Sequence, residues 1–140
     1  MVKKEPKLIV SVGKRKNSVA RATVTPGQGR IFIDSVPLDL WSSEFLRMRV
    51  KEPVSMAGDA VKNLDIHVTV RGGGTTGQTE AVRMAIARGI VDFTRNEDLR
   101  QKFIQYDRNL LVFDPRRNEP HHAGGASRRG SRRHKQRSKR

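Results

Sequence analysis

Apolar and polar positions alternate with a short period early in the chain, and the period lengthens after about residue 38. Leu8–Val12 reads as a strand and runs into a basic loop, Gly13-Lys14-Arg15-Lys16-Asn17. Val19–Thr25 alternates and is rich in β-branched residues, which predicts a second strand. Pro26-Gly27-Gln28-Gly29 has the composition of a turn, and Arg30–Asp34 is expected to return as the second arm of a hairpin. Leu38, Trp41, Phe45 and Met48 then fall near helical spacing and predict a helix over 38–50. Pro53 is expected to interrupt it, with a second short helix over 54–64. Asp65–Arg71 alternates cleanly, with Ile66, Val68 and Val70 on one side and His67, Thr69 and Arg71 on the other. A glycine loop, Gly72-Gly73-Gly74, leads into the strongest helical stripe, Gly77–Phe93, carried by Val82, Ala85, Ile86, Gly89, Ile90 and Phe93. Thr94-Arg95-Asn96-Glu97 has the form of a capping box before a final helix that buries Leu99 and Phe103, with Tyr106 the next candidate. Leu110–Phe113 is a short apolar run expected to close the core.

The pattern stops at about Asp114. Beyond it there is no Val, Ile, Leu, Met, Phe, Tyr or Trp, so residues 114–140 read as a tail appended to a globular α/β domain over 1–113. Such a segment buries too little apolar surface to offset its ordering entropy, and is expected to be disordered until a partner supplies charge. Charge sharpens this division. The 140 residues hold 29 Lys and Arg against 14 Asp and Glu, for a formal charge of +15. Residues 120–140 contribute eight of those cations and no acid, more than half of the excess. A chain this basic attracts polyanions, nucleic acid first among them. The absence of cysteine excludes disulfides and thiolate metal sites and suits a reducing compartment. No window approaches the roughly 18 apolar residues of a membrane span. Leu8-Ile9-Val10 is too short for the apolar core of a signal peptide, so a cytosolic location is expected.

The candidate chemistry is polyanion binding. Gly72, Gly74 and Gly77 satisfy G-x-G-x-x-G between a strand and a helix, but one short strand-like run after the helices cannot complete a doubly wound sheet. Gly72 to Thr79 also matches G-x-x-x-x-G-K-[ST], except that Gln78 stands where the phosphate-binding lysine must be. Two readings of the loop stay open: a backbone approach to RNA phosphate, or a tight structural turn. Lys14-Arg15-Lys16 with Arg21 is either a solvated turn or a phosphate contact, and the basic tail in the same chain favours the second. Arg128-Arg129 and Arg132-Arg133, spaced by Gly130-Ser131, present planar forks on a slim backbone suited to a groove between RNA helices. Fully extended, the last 21 residues reach at most about 70 Å from the domain. His121-His122 with His134 lacks the carboxylates or thiolates of a metal site, and His67 reads as an ordinary strand residue. Asp114 and Glu119 are too isolated to form an acid–base pair. No cofactor, metal or small-molecule substrate is expected. A chromatin-like DNA-binding protein and a nucleotide-binding enzyme are the rival classes. The first would bind duplex DNA as well as structured RNA, and Gln78 argues against the second.

Four stretches carry a family resemblance: Gly13-Lys14-Arg15-Lys16-Asn17-Ser18-Val19-Ala20-Arg21; Val70-Arg71-Gly72-Gly73-Gly74 with Gly77-Gln78; Asp114-Pro115-Arg116-Arg117-Asn118-Glu119-Pro120; and Gln136-Arg137-Ser138-Lys139-Arg140. In this order and spacing they resemble the universal ribosomal protein nine of the small subunit. Pro120 and the Val36-Pro37 turn look more like its archaeal and eukaryotic branch. The resemblance implies an α/β two-layer sandwich of the ribosomal protein five domain-two-like class, with a left-handed βαβ crossover. It also implies a place in the small-subunit head, on ribosomal RNA and among neighbouring ribosomal proteins, with a tail that reaches the peptidyl-site tRNA anticodon stem-loop. Carried over, the rRNA-binding set is Lys14, Arg15, Lys16, Arg21, Arg71, Gly72, Gly73, Gly74, Gln78, Arg116, Arg117, Arg128, Arg129, Arg132, Arg133, Lys135 and Arg137. Ser138, Lys139 and Arg140 would touch the tRNA. His121-His122 departs from the family, whose members usually carry two basic residues there; mostly neutral at pH 7, these histidines imply weaker or pH-dependent phosphate contact.

Overall fold

A computed structural model describes residues 7–117 of the chain. Five strands, β1 (Ile9–Arg15), β2 (Ser18–Pro26), β3 (Ile31–Ile33), β4 (Val36–Pro37) and β5 (Leu64–Arg71), form one mixed sheet in the order β1-β2-β5-β3-β4. The β3–β5 pair is parallel and the others are antiparallel. Three helices, α1 (Glu44–Ala57), α2 (Thr75–Thr94) and α3 (Glu97–Tyr106), gather on one side of the sheet, giving an α+β architecture. Short 3₁₀ turns occupy Leu38–Leu40, Gly58–Val61 and Arg108–Leu110.

Alternation assigns the faces. Ala20, Ala22 and Val24 of β2 pair with Val70, Val68 and Ile66 of β5, and all six are buried against α2. The central helix buries Ala81, Val82, Ala85, Ile86 and Ile90, and α1 and α3 pack on it in turn. Small residues let α2 lie close on β1. A Cβ at Gly13 would stand 2.0 Å from the Ala81 carbonyl oxygen, and Ser11 Oγ donates to the Ala85 carbonyl at 2.7 Å. The opposite face is open among the described residues, with Val10, Arg21, His67, Thr69 and Arg71 exposed on it. The Phe32 and His67 rings stack there at 5.1 Å across the parallel pair.

Several expectations need correction. The anticipated hairpin between β2 and β3 does not form, because β5 lies between them. The Pro26–Gly29 segment arches over the start of β5: Gly27 N–H donates to Asn63 O and Gly29 N–H to Leu64 O, each at 2.9 Å. Asp65 fixes the arch by accepting from the Gln28 and Arg30 amides at 2.9 and 3.1 Å and from the Arg30 guanidinium at 2.7 Å. Pro53 does not interrupt a helix. It lies inside α1, and burial of Pro53 beside Val50 offsets the backbone bond it removes. Only a 3₁₀ turn precedes α1 at 38–40, and α1 begins at Glu44 rather than Leu38. The cap of α3 is Asn96, whose side chain accepts from the Asp98 and Leu99 amides; Thr94 instead ends α2, with its hydroxyl bonded to the Ile90 carbonyl. Leu99 and Phe103 are buried as expected, but Tyr106 is exposed. Leu110 enters the core while Val112 and Phe113 stay at the surface.

Candidate nucleic-acid interface

The site is built where the β1–β2 turn meets the glycine loop. Lys16 takes a left-handed conformation (φ 51°) at the tip of the turn, and Ser18 behind it is fully buried. Its hydroxyl donates to the Gly72 carbonyl at 2.9 Å, and Gln78 Nε2 donates to the same oxygen at 3.1 Å. Turn, loop and the first turn of α2 are thus fastened at one atom. Two of the three loop glycines are required for this closeness. A Cβ at Gly72 (φ 78°) would come within 2.5 Å of the Asn17 carbonyl oxygen, and one at Gly73 (φ 67°) within 2.0 Å of Ser18 Oγ. Gly74 differs: its φ is −98°, and a Cβ there would meet nothing within 4 Å. The space beside it is a groove at the start of α2, lined by Lys16, Asn17, Gly73 and Thr76 among others. Gly74 contributes no side-chain cap, so first-turn amides of α2 face this groove without one.

Next to the groove lies a cleft of about 300 Å³. Lys14, Arg15, Lys16 and Arg116 line one wall, and Arg49, Glu80 and Asp107 the other. Asp114 joins the residues of the first wall. Its buried carboxylate forms an ion pair with Arg15 and accepts from the Arg116 amide (2.9 Å), Nε (3.0 Å) and Nη2 (2.7 Å). Arg117 donates to the Lys16 carbonyl at 3.1 Å. On the second wall, buried Arg83 is bonded to Glu52, to Asp107 at 3.0 Å and lies 3.6 Å from Glu80, which also pairs with Arg49 at 2.6 Å. Burial works to lower the Arg83 pKa, but Asp107, Glu52 and Glu80 outweigh it and raise the value. Burial likewise pushes the Asp107 carboxyl up, yet Arg83, the Asn109 amide and Arg49 together hold it below its ordinary value.

Of the residues expected to bind RNA, Lys14, Arg15, Lys16, Gly72, Gly73, Gly74, Gln78, Arg116 and Arg117 come together on this edge. Arg71 stands beside the loop but on the open face of the sheet, in a row with Lys14 and Val19, and Arg21 sits one row further along that face. Arg128, Arg129, Arg132, Arg133, Lys135, Arg137, Ser138, Lys139 and Arg140, with His121, His122 and His134, lie outside the described residues. Sequence reasoning missed Ser18 as the fastener and Asp114 as the clamp. The sequence did hold a signal for the second, an acid separated only by Pro115 from the first two arginines of the tail. Among the described residues no group of three or more His, Asp or Glu could hold a metal ion, and no helix is long and apolar enough to cross a membrane.

The arrangement offers cations, a glycine loop and a helix start to one polyanion, on a chain whose last described residues already run along the same edge. Comparison with known sequences decides what kind of protein carries it. Residues 13–140 match the model of the family described as ribosomal protein S9/S16. The chain belongs to that family. It is 44% identical to the small ribosomal subunit protein uS9 of Methanococcus maripaludis, over 94% of this chain and 98% of the relative. It is 46% identical to the protein of that name from Aeropyrum pernix (81% and 86% covered) and 47% identical to that of Desulfurococcus amylolyticus (81% of each). All three relatives are archaeal, in agreement with the branch suggested by Pro120 and the Val36-Pro37 pair. Membership of a ribosomal protein family makes the chain a structural component rather than an enzyme.

Proposed function

We propose that this chain is a constituent of the small ribosomal subunit in the cytoplasm, binding ribosomal RNA through the edge described above and reaching the peptidyl-site tRNA with its C-terminal residues. One observation carries the reading. Lys14–Lys16, the glycine loop and the Asp114–Arg117 segment converge, so the eight cations of residues 120–140 continue from the basic edge of the domain. Phosphate neutralisation by those eight alone corresponds to a log–log salt slope of about −6 to −7. Arg21, Arg71 and Lys14 extend the RNA surface onto the open sheet face. Met48 and Tyr106, exposed by 62 and 57%, line one hollow across α1 and α3, with Phe45 (69% exposed) one turn away on α1, an apolar surface suited to a neighbouring protein of the subunit head. The fold is read as the ribosomal protein five domain-two-like sandwich. On this reading its left-handed crossover would run between the parallel strands β3 and β5 through α1, and the chain divides into a domain over 1–113 and a tail over 114–140.

The test uses small subunits that carry either the full chain or one ending at Gln136. A several-fold loss of initiator tRNA affinity on truncation is the expected result. Unchanged tRNA affinity would assign the tail to RNA assembly alone, and equal affinity of the full chain for duplex DNA and ribosomal RNA would remove the ribosomal reading.

A further inference from the structure

The segment after the last 3₁₀ turn stays tied to the domain as far as the last described residue. Residues 111–117 run beside the edge strand β1, from the level of Val12 to the level of Lys16. Arg88 anchors the beginning: it donates to the Val12 carbonyl at 3.1 Å and stacks its guanidinium on Phe113 at 4.8 Å. Arg117 anchors the end, on the Lys16 carbonyl. Between them Asp114, only 6% exposed, accepts from both Arg15 and Arg116. A buried acid in a chain of charge +15 is a specific placement, since every cation nearby competes for it.

We propose that Asp114 is a positioning residue: it straps residues 111–117 to β1, so that the tail departs beside the glycine loop and one RNA meets loop and tail together. This rests on the RNA-binding reading above. A carboxylate placed here serves two opposite ends. It fixes the exit of the tail, which strengthens binding by holding two cationic segments at the spacing of one ligand. It also neutralises Arg15 and Arg116, which by itself would weaken binding. The proposal is that the first effect dominates.

The experiment compares full-length wild type, Asp114→Ala and Asp114→Asn for binding to in vitro transcribed small-subunit ribosomal RNA across a salt series. Circular dichroism melts identify any variant that fails to fold. Asp114→Ala is expected to bind about three- to tenfold more weakly at low salt, with a shallower salt slope, because loop and tail phosphates are no longer engaged at once. Asp114→Asn keeps one acceptor oxygen for the Arg116 amide and should fall between. Backbone exchange at Arg116 in the free protein is a readout independent of RNA, and should quicken in Asp114→Ala. Tighter binding with a steeper slope would overturn the proposal in favour of masking of Arg15 and Arg116. Unchanged affinity and slope in both variants would overturn it as well. A wild type that binds the ribosomal RNA no better than duplex DNA would instead overturn the RNA reading beneath it.

Discussion

The two walls of the cleft hold the same side chains to different ends. On the helical wall Arg83 and Arg49 face Glu52, Glu80 and Asp107, three acids for two cations, and Arg83 is buried. On the turn wall, beside Lys14 and Lys16, Arg15 and Arg116 pair with Asp114, the one acid found there among the described residues. The first wall is charge-compensated and ties α1, α2 and the turn after α3 into the core. The second carries an uncompensated surplus at the rim, where phosphate can supply what the protein lacks. A cation's task is therefore set by the acids that the fold delivers to it, not by its residue type.

The comparison breaks most visibly at Arg83. Its removal leaves three carboxylates facing one another around a vacated volume, so Arg83→Ala should cost about 3 kcal/mol of stability, the range for breaking one side of a buried pair. Urea unfolding measures it. RNA affinity of the remaining folded protein should be unchanged, because none of the three acids belongs to the turn wall. A stable Arg83→Ala protein that binds RNA poorly would place Arg83 on the functional side and dissolve the distinction.

The glycine loop draws the same line within three residues. Gly73→Ala sets a methyl against the Ser18 hydroxyl at a positive φ, and is expected to cost about 2 kcal/mol. Gly74→Ala meets open space at an ordinary φ and should leave the melting temperature nearly unchanged. It is the clean probe of the groove: weaker RNA binding by Gly74→Ala alone would show that the backbone there is approached by ligand, and unaltered binding would leave the loop a structural turn.

The turn wall itself gives a smaller free-energy effect, read in affinity. Replacing both Lys14 and Lys16 by Ala should leave stability within about 0.5 kcal/mol. RNA affinity should fall about tenfold at low salt, with the log–log slope shallower by about 1.4 to 1.8 for two lost phosphate contacts. Loss of stability of the size expected at Arg83 would mean that these lysines are structural after all.

How far the sequence reached depends on whether a residue's environment is local. β5 and α2 were legible because their own period names the buried face. β1 was legible as a strand but not in its orientation. Ser11 and Gly13 face the core and Val10 faces out, since a helix pressed close to this strand tolerates only small side chains. The strand order was not legible, because the carboxylate that pulls the 26–30 arch across β5 comes from Asp65, 35 residues beyond Arg30. Pro53 misled for a similar reason, as local propensity yielded to burial. At the candidate site the basic turn, the glycines and the tail were visible as motifs. Ser18 and Asp114 stood inside those motifs but their roles did not show, because the roles consist of contacts 54 residues away in one case and with the far end of β1 in the other.

Asp65 extends the comparison to a third place and gives the smallest effect. Like Asp107 it is an acid fully used by the fold, held well below the usual carboxylate range by the Arg30 guanidinium and by the Gln28 and Arg30 amides. Its folded-state pKa lies below the unfolded one. Its contribution is therefore present above about pH 4 and is lost as pH falls from there toward the folded value. Asp65→Asn retains an acceptor for the amides but loses this titration. Urea midpoints taken at about pH 7, 4 and 2.5 should show the variant below wild type at neutral pH, with the gap narrowing at the acid end. RNA affinity should be the same for both proteins. A variant as acid-sensitive as wild type would shift the acid limb to Asp107 and the compensated wall, where Arg83 helps hold another depressed carboxyl.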